Sequence, residues 1–156
     1  MALLNYSTYK KPEETLAEIQ HLLSKWGVQA VMTEYDGRQV SAVAFKMMVG
    51  AQPMSFRLPC NWRKVHEVLQ NYNANRKHKG TGYNRKLERR IDDSEEQAIS
   101  VAWRIIKDWI EAQMALVEVN MVTIPQVFLP YAITGDGRTL SEKILDDPGY
   151  LLGDGK

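Results

Sequence analysis

Three segments with alternating apolar residues, separated by two turn sequences, dominate the first half of this chain. The first two, 28–35 and 38–49, are rich in β-branched and aromatic residues and flank Asp36-Gly37, the dipeptide that a type I′ hairpin turn prefers. The third, 53–58, alternates apolar with polar side chains after the turn-like Gly50-Ala51-Gln52-Pro53. These segments predict a small antiparallel three-stranded meander with one packed face and one solvated face.

Helical spacing of apolar residues predicts a helix on either side of this meander and a longer one later in the chain. The first helix spans 12–26, and the second spans 61–70 with Asn61 as its N-cap. The third spans 94–121, begins with Ser94 and Gln97 at capping-box spacing, and is expected to be apolar on nearly all sides. The order predicts an α+β fold in which the meander packs against helices, with one long apolar C-terminal helix.

The tail, 122–156, is expected to be less regular. It predicts an extended piece at 127–133, a turn at Gly135-Asp136-Gly137 and a short helix from Thr139 to Leu145.

Length and composition predict a single domain, 1–156, in a reducing cytosol. At 156 residues and 44% hydrophobic, the chain is long enough to bury one full core. Its single cysteine, Cys60, excludes an internal disulfide framework, and the first residues lack the pattern of a secretory signal. We expect no membrane span and no cofactor, since no apolar run is long enough and no cofactor motif is present.

Charge is distributed unevenly along the chain. The segment Arg57–Arg90 holds ten of the twenty Lys and Arg residues and two acidic ones, whereas the whole chain has a net charge of +1. Clustered cations attract a polyanion or an acidic surface, so this segment predicts a partner of negative charge.

Residues 71–92 are expected to form a flexible basic arm, because they contain few apolar residues to bury. Arg and Lys residues are interleaved here with Tyr72, Tyr83 and His78, a pattern that favours phosphate neutralisation together with base stacking on a single strand. Including the adjoining strand and helix, the candidate nucleic-acid-binding residues are Arg57, Trp62, Arg63, Lys64, Tyr72, Arg76, Lys77, Lys79, Tyr83, Arg85, Lys86, Arg89 and Arg90.

Other chemistry receives less support from the residues. Lys79-Gly80-Thr81-Gly82 lacks the spacing of a P-loop, and Cys60 near His66 has no orienting carboxylate. Two sets of acidic residues could be considered as metal ligands, although turn formation and helix capping explain them more simply. One set is Glu34 and Asp36, with Lys46 as the lysine of a nuclease hairpin, and the other is Asp92, Asp93, Glu95 and Glu96. We therefore predict no catalytic or metal-binding residue.

The sequences VAWRIIKDWIEAQMALVE and PQVFLPY, and more loosely SAVAFKMMV and SFRLP, resemble a family of small uncharacterised bacteriophage and prophage proteins. The resemblance implies a phage-encoded accessory protein in the host cytosol and assigns no catalytic residue.

Three hypotheses follow for the function. The first is an accessory protein that binds nucleic acid, above all single-stranded DNA, or anneals strands in replication or recombination. The second is an interaction protein that inhibits a host defence or replication component through an acidic surface of that component. The third is a metal-dependent enzyme that processes nucleic acid. The apolar third helix also predicts a homo-oligomer.

Overall fold

The structure, a computed structural model, describes residues 3–153 and is an α+β fold. Its contacts form two compact units. One contains the residues up to Ile19 and Cys60–Trp109, and the other contains Gln20–Pro59 and the residues from Ile110 onward. The expectation of a single domain stays a prediction.

The second unit is built around the meander that the alternating segments predict. Strands β1 (Ala30–Asp36), β2 (Gln39–Val49) and β3 (Gln52–Pro59) pair antiparallel in the order β1-β2-β3. Val31 and Phe56 both lie opposite Phe45, so apolar residues of all three strands share one face.

The first hairpin turn differs from the predicted type. Asp36 pairs with Gln39, so the central residues of the first turn are Gly37 and Arg38 rather than Asp36 and Gly37. Only Gly37 has a positive φ, +62°, as a type II′ turn requires and a type I′ turn does not. The strand therefore continues one residue further than the dipeptide suggested.

An aromatic cluster forms the core of this unit. Phe45 lies 5.3 Å from Phe56 and 5.4 Å from Phe128 between ring centroids, and all three side chains are buried. Edge-to-face and offset contacts at these distances add about 0.5–1.5 kcal/mol per pair to the burial of the rings.

The tail contains more helix than predicted. Residues expected in an extended piece instead form helix α4 (Ile124–Phe128) and a 3-10 turn (Leu129–Tyr131), because Thr123 and Gln126 make a reciprocal capping box. A short helix, Leu140–Asp146, follows the predicted turn, and it is α5 in the numbering used here.

The first unit contains helix α2 (Trp62–Ala74) and, after it, a β-hairpin. The strands of this hairpin are β4 (His78–Lys79) and β5 (Lys86–Leu87), which pair antiparallel. The structure therefore corrects the expected arm, 71–92, in two respects. Helix α2 extends four residues beyond its predicted end, and the residues after it form a hydrogen-bonded hairpin. Backbone pairing and side-chain hydrogen bonds order this segment, although it has few apolar residues to bury.

Helix α1 (Pro12–Ser24) and helix α3 (Glu95–Glu118) complete the elements. Helix α3 begins and ends within three residues of its predicted bounds, but an apolar helix is not confirmed. Its last turns expose Glu111, Ala112, Ala115 and Leu116, so this part is amphipathic. Among residues 3–153, no helix is both long enough and apolar enough to cross a membrane.

The predicted helix caps are met in part. Asn61 precedes α2 but its side chain makes no capping hydrogen bond. Ser94 caps α3 as predicted, since its Oγ accepts the Gln97 N–H at 3.2 Å. The Gln97 side chain does not return to Ser94; Asp92 accepts the Ser94 N–H instead, at 2.9 Å. The side chain of Gln97 is therefore available for another contact.

Candidate functional site

A cleft of about 660 Å³ lies in the first unit, and its wall combines tyrosines with cations. We call it the basic cleft, and its volume is in the range of ligand-binding sites. Its lining comes from the N-terminal segment, α2, the β4–β5 hairpin and the start of α3; the residues are Tyr6, Ser7, Thr8, Tyr9, Tyr72, Lys79, Lys86, Leu87, Glu88, Arg89, Arg90, Ile91, Asp92 and Gln97.

Glu88 closes the base of the hairpin. Its Oε2 accepts the Lys77 backbone N–H at 3.3 Å, its Oε1 pairs with Lys79 Nζ at 3.1 Å, and its own N–H donates to the Lys77 carbonyl at 2.8 Å. The Lys77 N–H, followed by Lys79, holds the pKa of the Glu88 carboxyl below its ordinary value. Glu88 thus has a structural role within a cationic segment.

Asn73 connects α2 to the end of this hairpin with two hydrogen bonds. Its Nδ2 donates to the Ile91 carbonyl at 2.9 Å, and its Oδ1 accepts the Ile91 N–H at 3.0 Å. Arg76 adds bonds from its guanidinium to the carbonyls of Asn73, at 3.1 Å, and Glu88, at 3.3 Å. Arg76, predicted as a ligand-binding cation, is therefore used to fix the hairpin.

The tip of the hairpin is a closed turn that presents Tyr83 to solvent. Gly80 has a φ of +92°, and a Cβ there would lie 2.5 Å from the Asn84 carbonyl oxygen, so the position requires glycine. The Asn84 N–H donates to the Thr81 carbonyl at 3.3 Å, and Tyr83 is fully exposed. The Lys-Gly-Thr-Gly sequence is thus a hairpin turn and forms no phosphate loop.

The N-terminal segment supplies another part of the cleft wall, and Gln97 holds it in place. Gln97 Nε2 donates to the carbonyls of Tyr6, at 2.8 Å, and Thr8, at 3.1 Å. Asn5 adds a bond from its Nδ2 to Asp108 Oδ2 at 2.7 Å. Tyr6 and Tyr9 were missed from the sequence, where the only signal was two tyrosines close to Lys10 and Lys11.

The structure brings five of the predicted binding residues into this cleft: Tyr72, Lys79, Lys86, Arg89 and Arg90. Lys86 and Arg89 are exposed and make no ion pair with residues 3–153, whereas Arg90 pairs with Asp93 at 3.3 Å. Among the described residues that line the cleft, the unpaired cations therefore lie on the second strand of the hairpin and just after it.

The start of α2 does not line the cleft. Ten residues separate Trp62 from Tyr72, which corresponds to about 15 Å along the helix. The Arg63 Cζ lies 4.9 Å from the centroid of the Trp62 ring, and Lys64 pairs with Glu67 at 3.1 Å. Because Arg63 covers one face of Trp62, the predicted stacking of this ring on a base receives no support.

Arg57 belongs to the second unit, where carboxylates offset its charge. Its Nε donates to Glu34 at 2.8 Å, and its guanidinium lies 3.5 Å from Glu142. These residues line a separate cavity of about 630 Å³, where Arg138 also pairs with Asp146. Since acids and bases of this cavity pair with one another, it presents little net charge to a ligand.

The remaining chemical candidates have structural explanations. Burial raises the pKa of the Cys60 thiol to about 12, so a reactive thiolate at neutral pH is not expected. Asp92 and Asp93 bond to Ser94 and Arg90 as described above, and Glu34 is held by Arg57. Within residues 3–153, no group of three His, Cys, Asp or Glu side chains is arranged to hold a metal ion.

Comparison of the chain with protein-family models, with curated proteins and with solved structures gave no match.

Proposed function

We propose that this protein binds single-stranded nucleic acid, DNA above all, in the basic cleft. The observation that carries the proposal is the combination of tyrosines and unpaired cations around one cleft. Cations neutralise the phosphates of a strand while tyrosine rings stack on its bases, and stacking contributes about 1–3 kcal/mol per base.

Each wall of the cleft has a distinct part in this proposal. Lys86 and Arg89 contact phosphates, since both are exposed and unpaired among the described residues. Tyr72 and Tyr6, both half-buried, offer ring faces to bases inside the cleft. Lys79 takes part only if its pair with Glu88 opens, so its contribution is smaller.

The resemblance to phage proteins extends this proposal to a phage-encoded accessory protein acting in replication or recombination. Stacking tyrosines favour a nucleic acid over an acidic host protein, because an acidic protein surface would need the cations alone. An enzymatic role would require a carboxylate cluster, for which the described residues give no support.

Fluorescence anisotropy with a labelled oligonucleotide of about fifteen nucleotides tests the proposal. With three or four cations engaged, the log-log dependence of affinity on salt should have a slope of about −2 to −3. Replacing Lys86 and Arg89 by glutamine should reduce the steepness of this slope by about 1.4. Lys25 and Lys46, exposed lysines outside the cleft, provide the matched control when both are changed to glutamine.

A deletion provides a second test. Asn73 and Ile91 lie on either side of the hairpin, so residues 76–89 can be replaced by a short Gly-Ser linker between them. Binding should be lost while the circular dichroism spectrum keeps its helical signal. Failure of the wild-type protein to bind any strand at low salt would rule out the proposal, and a protein recovered from nuclease-treated host lysate would then favour the host-interaction alternative.

Self-association is a separate proposal. Its support is the exposed apolar side chains at the end of α3 and just after it, Leu116, Val119 and Met121. Sedimentation at micromolar concentration should detect a dimer or larger oligomer, and changing Val119 and Met121 to serine should return the protein to a monomer.

A further inference from the structure

The tip of the β4–β5 hairpin displays a tyrosine that has no part in the proposed binding of a single strand. Tyr83 is fully exposed there, whereas Tyr72 is half-buried in the cleft wall. A single exposed tyrosine is ordinary on a protein surface, so exposure alone says nothing about function. The turn that holds Tyr83 and the cations near it do indicate a function.

The turn that holds Tyr83 is closed by three features of the backbone. Asn84 and Arg85 donate N–H bonds to the carbonyls of Thr81 and Gly82, at 3.3 and 3.2 Å, and Gly80 allows the Asn84 carbonyl to approach closely. Glu88 closes the other end of the hairpin, as described above. Tyr83 is therefore displayed at the end of a hydrogen-bonded element.

Cations lie next to the tip on both strands of the hairpin. Lys79 and Lys86 pair across the two strands beside the tip, and Arg85 precedes Lys86. The side chains of Arg85 and Lys86 are exposed and make no ion pair with any residue from 3 to 153. A flat exposed ring with cations on both strands beside it complements the end of a duplex, where a flat base pair is framed by the phosphates of two strands.

The tip and the basic cleft are consecutive parts of one element. Lys86 lines the cleft and lies three residues from Tyr83, a reach of at most about 10 Å. At about 3.4 Å per stacked nucleotide, this length corresponds to about three nucleotides. A strand lying in the cleft could thus enter a duplex near the tip.

We propose that Tyr83 stacks on the terminal base pair of a duplex at its junction with the single strand held in the basic cleft. This inference rests on the proposed function and names its ligand as a single-strand/duplex junction. Arg85 and Lys86 contact the phosphates beside the stacked pair. A free duplex end or a free single strand would satisfy only one half of the surface.

Competition binding with defined oligonucleotides tests this inference. The set contains a single strand, a blunt duplex, and the same duplex with a tail of about five nucleotides, with 2-aminopurine in the terminal pair. The tailed duplex should bind about tenfold tighter than the single strand, as expected for one added stacking contact. Stacking by Tyr83 should also change the 2-aminopurine fluorescence.

Two variants separate stacking from charge. Tyr83→Ala should remove the preference for the tailed duplex and the fluorescence change while keeping the affinity for the single strand. Tyr83→Phe should retain all three, because the ring remains. Both changes are at a fully exposed side chain, so neither should affect folding.

The outcomes are distinct. Equal binding of single strand and tailed duplex by the wild-type protein, or a preference that Tyr83→Ala keeps, would overturn the inference and leave the proposed function in place. Polyglutamate that competes as well as the tailed duplex would show recognition of charge alone, and would also overturn it. Absence of binding to every oligonucleotide would remove the proposed function itself.

Discussion

The backbone of Gly80 lies so close to the Asn84 carbonyl that a methyl group on Gly80 would be 2.5 Å from the oxygen. This contact couples the first strand of the hairpin to its tip. It makes one glycine a sensitive position in a segment that buries no residue between 76 and 90.

Changing Gly80 to alanine should disturb the tip and leave the rest of the protein folded. We expect weaker oligonucleotide binding with a change in melting temperature of no more than a few degrees, because the hairpin adds little to the buried core. Anisotropy and thermal melting measure the two effects. Gly82→Ala is the matched control: φ at Gly82 is also positive, +58°, but no atom lies within 4 Å of a Cβ there.

Changing Gln97 to leucine should loosen the N-terminal wall of the cleft. The change removes the two bonds to the carbonyls of Tyr6 and Thr8, each with a net value of about 1 kcal/mol. Hydrogen exchange should become faster in residues 5–9, and single-strand affinity should fall about threefold to tenfold. Ser100→Ala, which removes a bond within α3 only, should change neither quantity.

Glu18 should make stability depend on acidity below pH 5. Lys10 and then Arg104, at 2.6 Å, lower the pKa of its carboxyl from 4.5 to about 2. A carboxyl with a lowered pKa in the folded state stabilises the fold fully above its unfolded pKa, and this stabilisation is lost as the pH falls from about 4.5 through about 2. The Glu18 side chain is 30% exposed, so screening limits the effect to about 1–2 kcal/mol.

Urea unfolding between pH 2 and pH 7 measures this dependence. Glu18→Gln should lower stability at neutral pH and flatten the acid limb of the curve. Glu13→Gln, at an exposed position of the same helix, should leave the curve as it is. An unchanged acid limb in Glu18→Gln would show that other carboxyls determine the pH dependence.

Cys60 should be inert in the folded protein. Its residue is 8% exposed and its thiol pKa is raised to about 12, so the thiolate that reacts with disulfide reagents is scarce at pH 8. An aromatic disulfide reagent should label it slowly in buffer and rapidly in denaturant. Rapid native labelling would contradict this, and Cys60→Ser should bind oligonucleotides as the wild type does.

The meander could be predicted because its pattern is local. The alternation of apolar and polar residues identified both segments, β2 and β3, as strands. It also placed Phe45 and Phe56 on the buried face of the sheet. The turn type could not be predicted as well, since Asp36-Gly37 is compatible with two registers that differ by one residue. Composition suggested an unstructured arm because it reports apolar content, whereas Glu88 and Asn73 order the hairpin by hydrogen bonds.

The candidate site could be predicted only where it is continuous in sequence. Lys86, Arg89 and Tyr72 were found because they belong to the charged segment. Tyr6 and Tyr9 were not, because they reach the cleft through Gln97, about ninety residues later, by a side-chain bond that no local pattern encodes. Arg57 was assigned to the site by its sequence neighbours, although its partners Glu34 and Glu142 lie far from it in the chain.

The anchoring of residues 6–8 by Gln97 has a practical consequence for purification. An affinity tag fused before residue 1 would be tethered only a few peptide bonds from Tyr6, beside the cationic wall of the cleft. An acidic tag there would compete with nucleic acid, and a polyhistidine tag would add positive charge at low pH. Oligonucleotide affinities should therefore be measured after N-terminal tag removal or with a C-terminal tag.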